Sequence, residues 1–537
     1  MNSMLRKSHP YIQKKTTNRT IRMKQFIFLI SIFYCSLSTI YLSAQPKYEF
    51  RAVWVATVDN IDWPSTKYLS TENQKAEFIK LLNMHQRNGM NAIVAQIRPA
   101  TDAFYPSPYE PWSEWLTGKQ GMPPNPYYDP LEFMIMETHK RGMEFHAWMN
   151  PYRAEFNIVK SSIAATHITK IHPEWFLYYG NKKYFDPGNK EVQQFVTNVV
   201  KDVVSRYELD AIHFDDYFYP YRIAGKEFPD ATSYAKYGKG LDIEDWRRSN
   251  VDSIILMLSK AIKKENRFCK FGISPFGVWR NNDRDPEGSN TKAGQTNYDD
   301  LYADILLWLK NKWIDYVAPQ LYWEFSQPKV PFATLIDWWA KHAYGRQVYI
   351  GHGIYRAFEP NSPAWKNKNE LPNQIKKLRE YPQVQGSIYF SSKTFARNPN
   401  GWNDSLQNNY YKYPALIPPM PWIDNAKPPI DILSAEIVSR NPNSKGLVIH
   451  FSPSLASGIK QYAFYLFANK DEVNKTWLYK ILPAEKDLYL NIPIGSIPAE
   501  WNNFYISVTA ISKTNNESEF RKTYNLLWKN DSWMLSL

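Results

Sequence analysis

Cysteine is nearly absent from this 537-residue chain, which has only Cys35 and Cys269. Cys35 sits in an N-terminal apolar segment, so the remainder carries one thiol and cannot form an internal disulfide. Outside a reducing compartment its stability has to come from core size. Cys35 follows Ile32-Phe33-Tyr34 rather than small residues, which argues against lipid attachment. Histidine is sparse as well: the ten residues form no close metal-ligand spacing, and no His-x-His follows the first apolar run, so no metal is expected. Glycine-rich phosphate loops and dinucleotide fingerprints are missing. Gly272-Ile273-Ser274-Pro275-Phe276-Gly277 lacks the spacing of a nucleophile elbow. With no thiol site, triad or zinc site visible, peptide or amide cleavage ranks last among hydrolytic chemistries, and cofactor-free hydrolysis remains.

Acidic residues are missing from positions 1–44, where seven basic ones gather: Arg6, Lys7, Lys14, Lys15, Arg19, Arg22 and Lys24. The whole chain holds 65 Lys plus Arg against 52 Asp plus Glu, a net +13; without that segment the balance is 58 to 52, or +6. So small a charge on the rest argues against binding to a phosphate backbone, and no nucleic-acid partner is expected. Long apolar runs are also missing, with one exception from Phe26 to Leu42, preceded by Met23-Lys24 and followed by the small residues Ser43-Ala44. That pattern reads as an export leader cleaved before Gln45. A retained membrane anchor is the alternative, since the run is near the lower limit for spanning. The expected location is periplasm, cell envelope or medium, with membrane contact only through the leader before cleavage.

What the chain has in abundance is aromatic side chains, 85 Phe, Trp and Tyr, within an apolar content of 44% and a charged content of 22%. This is a globular composition. From Glu49 to about Tyr413, short apolar runs alternate with stretches of helical period. Eight strands are predicted: Phe50 to Thr57, Ala92 to Ile97, Glu144 to Met149, Ala211 to Phe214, Phe271 to Ser274, Tyr316 to Gln320, Gln347 to Gly351 and Gly386 to Phe390. Helices are predicted over Glu72 to Asn88, Leu131 to Arg141, Lys190 to Arg206, Ile243 to Glu265, Tyr298 to Lys312 and Asn369 to Glu380. Eight such units suggest an α/β fold, a (β/α)8 TIM-type barrel over residues 45–415. A doubly wound open sheet would show a glycine-rich turn after the first strand, and Val53 to Asp59 contains no glycine. Six prolines between Pro414 and Ile430 mark a linker over 416–430. Beyond it, short β-branched and aromatic runs read as a small sandwich of fibronectin or immunoglobulin type over 431–537, serving as a spacer or as a glycan-binding module.

Barrel enzymes carry their working groups at the carboxyl ends of the strands. In Ala211-Ile212-His213-Phe214-Asp215 the period of two sends Ile212 and Phe214 to the helices and turns His213 and Asp215 into the barrel mouth. The same parity brings Gln96, Arg98, His146, Trp148, Asn150, Ser274, Gln320, Tyr322 and Glu324 inward or to the rim, with Tyr217 and Trp323 in the adjoining loops. Paired polar groups among aromatic faces suit a sugar, whose hydroxyls need partners and whose rings stack. Asp215 is the candidate nucleophile or transition-state stabiliser for an oxocarbenium-like state, and Asp216, one step on and turned sideways by parity, is its rival. Glu324, and after it Asp102, are the candidate proton donors. Trp112, Trp115, Tyr127 and Tyr128 form either a cleft wall or the packing of a long loop. Asp186 precedes a helix as a cap would.

Six ordered motifs carry a resemblance: Arg51 to Thr57, Gln96-Ile97-Arg98-Pro99 with Asp102 to Tyr105, Ala147 to Arg153, His213 to Pro220, Ile273 to Gly277 and Ala318 to Trp323. Together they resemble glycosyl-hydrolase-like family 10, bacterial envelope proteins, over residues 47 to 415. The resemblance implies a TIM-type barrel and glycoside hydrolysis of a polysaccharide, with some members linked to peptidoglycan glycan strands stripped of peptide. The pair Asp215-Asp216 matches the family motif directly; the position of Glu324 is less uniform in the family, which leaves the proton donor open. The alternative function is a non-catalytic glycan-binding protein built on the same barrel.

Overall fold

Eight parallel strands close into a barrel in the computed structural model, each hydrogen-bonded to its neighbours in chain order and the eighth to the first. They are Phe50–Val55, Ala92–Arg98, Glu144–Met149, Ala211–Phe214, Lys270–Ile273, Tyr316–Val317, Gln347–His352 and Val384–Tyr389. The structure describes residues 45–438, 446–454, 458–469, 477–498, 500–520, 522–529 and 532–537, so the expected export leader lies outside the described residues. Among the described residues no helix is long and apolar enough to cross a membrane. The sixth strand is shorter than its apolar run because Pro319 has no N–H to give the ladder; Gln320 then rejoins through single bridges to Phe276 and Gly351.

The helices follow the expected periodicity where a cap and a valine or leucine stripe coincide. Asn189 accepts from the Glu191 N–H at 2.9 Å to start Lys190–Arg206, whose valines 192, 196, 199, 200, 203 and 204 are buried. Asn189, not Asp186, is therefore the cap; Asp186 instead accepts from the Gly188 N–H within the preceding turn. The helix expected over Tyr298 to Lys312 is two short pieces, Asn297–Asp300 and Ile305–Lys310, because Tyr302 takes a left-handed φ of 53° and Asp304 starts a new cap. Phe332–Lys341 is a helix that the sequence reading passed over, since its aromatic residues have weak helical preference and tertiary burial of Leu335, Ile336, Trp338 and Trp339 holds it.

Inside the barrel, Phe50, Ala52, Trp54, Ala92, Val94, Ala211, Tyr316, Tyr349 and Ile388 form a core of their own. Gly272 is required there: a Cβ at that position would stand 1.9 Å from the Tyr316 ring, which fills the space between strands. The proline-rich stretch expected to be a linker is packed, with Ile417 and Met420 closing the lower end of this interior core. Gln347 donates to the carbonyls of Pro418 and Pro419 at 3.1 and 2.9 Å, satisfying backbone that proline cannot pair.

The C-terminal strands form two antiparallel sheets, of three and five strands, around one apolar core. Their strands are Ile432–Ile437, Gly446–Pro453, Ile459–Phe467, Trp477–Pro483, Leu488–Pro493, Asn503–Ser512, Thr523–Lys529 and Ser532–Ser536. Barrel and sheets belong to one compact unit, Lys47–Leu537. Their junction holds a buried charge cluster: Glu144, fully enclosed at the lower end of the third strand, accepts from Lys460 at 2.7 Å, from Asn515 at 3.0 Å and from Lys270. Lys460 lies on the C-terminal strand Ile459–Phe467 and Asn515 in the turn after Asn503–Ser512, so this domain seals the barrel floor. Cys269 is fully buried beside that floor, and burial pushes its thiol up to about 12. The folded protein is therefore expected to resist a thiol reagent at neutral pH and to react fully only in denaturant, as a colorimetric thiol titration would show.

Candidate active site

A cavity of about 380 Å³ opens at the carboxyl ends of the strands. Its walls carry Gln96, Trp148, Asp215, Asp216, Tyr217, Ser274, Gln320 and Tyr322, eight of the residues that strand parity and the loop motifs singled out. Its remaining lining includes Trp54, Arg153, Phe156, Tyr221, Tyr355 and Phe390. Trp54 was legible by the parity rule, as an inward position of the first strand. Tyr221 lies on irregular chain and Tyr355 in the short 3-10 helix Ile354–Phe358, so strand parity points to neither.

The two carboxyl groups in the cavity have different surroundings. Asp215 follows the fourth strand directly and is held from the adjacent third strand: Trp148 donates to Oδ2 at 3.1 Å, and Asn150 donates to Oδ1 and Oδ2 at 3.2 and 3.0 Å. Burial raises its carboxyl above the ordinary range, against the nearby Arg153 charge and these donors. Asp216 accepts from the Tyr221 hydroxyl at 2.5 Å, and burial together with the Asp215 charge pushes it up to about 7. Parity had turned Asp216 sideways, but the fourth strand ends at Phe214, so alternation lapses before Asp216 and both carboxyls reach one cavity.

Several predicted residues stand elsewhere. Arg98 is turned away from the mouth, because a register shift between Gln96 and Arg98 pairs it with the outward Met149. Its guanidinium forks onto Glu110, with Nε to Oε2 at 2.8 Å, in a fully buried pair. Asp102 is also buried, accepts from the Ala100 N–H at 3.0 Å and lies outside the cavity lining, although burial pushes its carboxyl up to about 7. Glu324 is half-buried beyond the lining, and its carboxylate neighbour is Glu370 rather than either aspartate. Trp323 packs its ring on Phe276 at 5.4 Å. Trp115 packs on Phe156 at 5.8 Å and Tyr128 bonds Gln74 at 2.7 Å, so both brace the long loop, while Trp112 pairs with the exposed Tyr127.

Asn150, His213 and His146 support the site from beneath. The Trp54 indole N–H can only donate, and it meets His213 Nε2 at 3.2 Å, which makes that nitrogen the acceptor. His213 Nδ1–H then donates to the Tyr316 hydroxyl at 2.9 Å, Tyr316 donates to His146 Nδ1 at 2.9 Å, and His146 Nε2–H donates to Glu144 at 2.9 Å. Burial holds both imidazoles below their ordinary range, so the chain is neutral down to the Glu144 carboxylate. His213 thus positions Trp54 under the cavity. Gln96 behaves differently: its Oε1 accepts from the N–H groups of Thr57 and Val58 at 3.1 and 2.9 Å, and its Nε2 has no partner among the described residues. No group of three or more His, Cys, Asp or Glu among the described residues is arranged to hold a metal ion.

Residues 49–368 match the family model described as "Glycosyl hydrolase-like 10". The chain belongs to this family. Within it, the chain is 47% identical over 435 residues to the glycosyl hydrolase YngK of Bacillus subtilis, covering 80% of this chain and 85% of that protein. It is 38% identical over 372 residues to the glycosyl hydrolase DigH of Escherichia coli, covering 65% of this chain and 83% of that one. Among solved structures, the glycoside hydrolase domain of PgaB from Bordetella bronchiseptica superposes with a TM-score of 0.45 at 14% identity, covering 68% of this chain and 99% of that one. The family assignment accounts for the barrel and makes a carbohydrate the expected class of substrate.

Proposed function

We propose that this protein is an exported glycoside hydrolase that cleaves a polysaccharide, with peptide-free peptidoglycan strands as the first substrate to test. The observation that carries the reading is the pair Asp215-Asp216 in one aromatic-walled cavity, with one carboxyl fixed by three hydrogen bonds and the other pushed up to about 7. A glycosidic bond needs a protonated acid at the leaving oxygen and a fixed negative group near the anomeric centre. Asp216 fits the first role and Asp215 the second. Gln320, Tyr322 and Tyr217 offer donors and faces for the sugar, and Gln96 braces the first strand's loop beside them. The basic leader and its apolar run support export, and the relatives' glycosyl hydrolase names support the chemistry.

The test is release of new reducing ends from peptide-free strands, beside a panel of plant and bacterial polysaccharides. Turnover by residues 45–537, reduced about 10²-fold or more in Asp215→Asn, is the expected result, in line with loss of a charge that stabilises the transition state. Retention of a polysaccharide with no new ends would instead select the glycan-binding alternative, and full activity in Asp215→Asn would remove that residue from the mechanism.

A further inference from the structure

Asp216 at the leaving oxygen leaves unassigned the group that attacks the anomeric carbon from the opposite face of the ring. The cavity lining contains two carboxyl groups, and they are consecutive residues, about 3.8 Å apart at Cα, on one wall. A pair that flanks a sugar from both faces comes from separate elements of a barrel; this pair approaches from one side. Asp215 is a poor direct nucleophile, since Trp148 and Asn150 donate to both its oxygens and fix the carboxylate in place rather than freeing an oxygen to form a bond to carbon. The remaining ionisable side chains in the lining are Arg153 and four tyrosines whose phenols burial keeps protonated. Cys269 lies outside it.

We infer that the attacking group belongs to the substrate: the C2 acetamido oxygen of a 2-acetamido-2-deoxy sugar whose glycosidic bond is trans to that group, with Asp215 accepting the amide N–H. The lining suits the acetamido methyl, since Trp54, Tyr322 and Phe390 cluster in it, with ring centroids of 6.4 Å for Trp54 to Tyr322, 6.2 Å for Trp54 to Phe390 and 5.9 Å for Tyr322 to Phe390. The inference rests on the hydrolase reading above and narrows it to one substrate class.

The steps balance. The amide carbonyl oxygen bonds to C1 as the glycosidic C1–O bond breaks; the bonding pair stays on the leaving oxygen, which takes the Asp216 proton. The amide proton passes to Asp215, leaving a neutral oxazoline. Water then adds to C1 and gives its proton to the Asp216 carboxylate, while the C1–oxazoline oxygen bond breaks, its pair restores the amide, and Asp215 returns the proton to nitrogen. Both carboxyls end as they began, and the anomeric configuration is retained.

Two measurements on the wild-type protein test this. The glucosamine-derived methyl thiazoline, a stable sulfur analogue of the oxazoline, is titrated calorimetrically, with Asp215→Ala as comparison. Peptide-free strands are N-deacetylated, then re-acylated with acetyl or trifluoroacetyl groups, and their turnover and product anomer are followed by NMR. The expected results are thiazoline binding weakened tenfold or more in Asp215→Ala, a retained anomer, and a fall of about a hundredfold in kcat/KM on trifluoroacetylation, as weakening the attacking oxygen requires. Equal turnover of both acyl forms, or an inverted product, overturns the inference while the hydrolase reading stands. Thiazoline binding without turnover of any strand supports the inference and overturns the choice of strands as substrate, and the absence of both binding and turnover overturns both.

Discussion

Replacing Asp216 with asparagine is expected to lower kcat/KM on glycan strands by about 10²–10⁴-fold, the range that a positioned general acid contributes. The side chains are nearly isosteric, and the amide oxygen of the replacement would still accept from Tyr221, so folding and substrate affinity should change little. The pH profile gives a sharper readout. Burial and the Asp215 charge push the Asp216 carboxyl up to about 7, and only its protonated form can donate to the leaving oxygen. Activity should therefore fall about tenfold per pH unit above that value and fall again on the acid side where Asp215, raised by burial, takes up a proton, and the Asp216→Asn variant should lack the alkaline limb alone. Tyr221 donates to the ionised form, so Tyr221→Phe should move the limb to higher pH. A profile that stays flat well above neutrality would take the proton-donor role away from Asp216.

The second large effect concerns stability. Glu144→Gln should destabilise the fold by about 3–5 kcal/mol, read as a lower midpoint in urea with an unchanged slope, because removing one partner strands buried charge. Two ammonium groups depend on this carboxylate. Lys270 is fully buried, and among the described residues Lys460 keeps only Asp210, at 3.6 Å, as a further acidic partner. Burial opposes the ionisation of Glu144, but Lys270 and Lys460 outweigh it and hold the carboxyl well below 4.5. A carboxyl depressed in the folded state contributes stability that is fully present above its unfolded value and is lost as pH falls through its folded one. The gap between wild type and Glu144→Gln should thus be widest above about pH 5 and narrow on acidification. A gap that is independent of pH would mean that packing, not the charge cluster, holds the two domains together.

The barrel was legible because its signal is local and repeated. Apolar runs such as Ala92 to Ile97 and Phe271 to Ser274 have both faces covered, and valine-rich stripes such as that of Lys190–Arg206 repeat at helical spacing beside a capping residue. Parity within a strand also placed His213, Trp148, Gln96 and Ser274 inward, since alternation holds as long as the ladder is regular. It failed for Arg98 at a register shift and for Asp216 just past the last paired residue of its strand. The helix Phe332–Lys341 was missed for a related reason: its aromatics acquire their meaning only from what they pack against.

Sequence alone therefore determined the eight-strand order, the division into barrel and C-terminal sheets, and the aspartate pair, since all of these are written in short-range pattern and in motifs. The tertiary structure decided which acid shares a cavity with Asp215. Glu324, Asp102 and Asp216 are alike as sequence, but only Asp216 is brought into that cavity. It also decided that Lys460, more than 300 residues from Glu144 in the chain, completes the barrel floor. Proximity across the fold, and the desolvation that follows from it, depend on where chain segments meet, and no local pattern encodes that meeting.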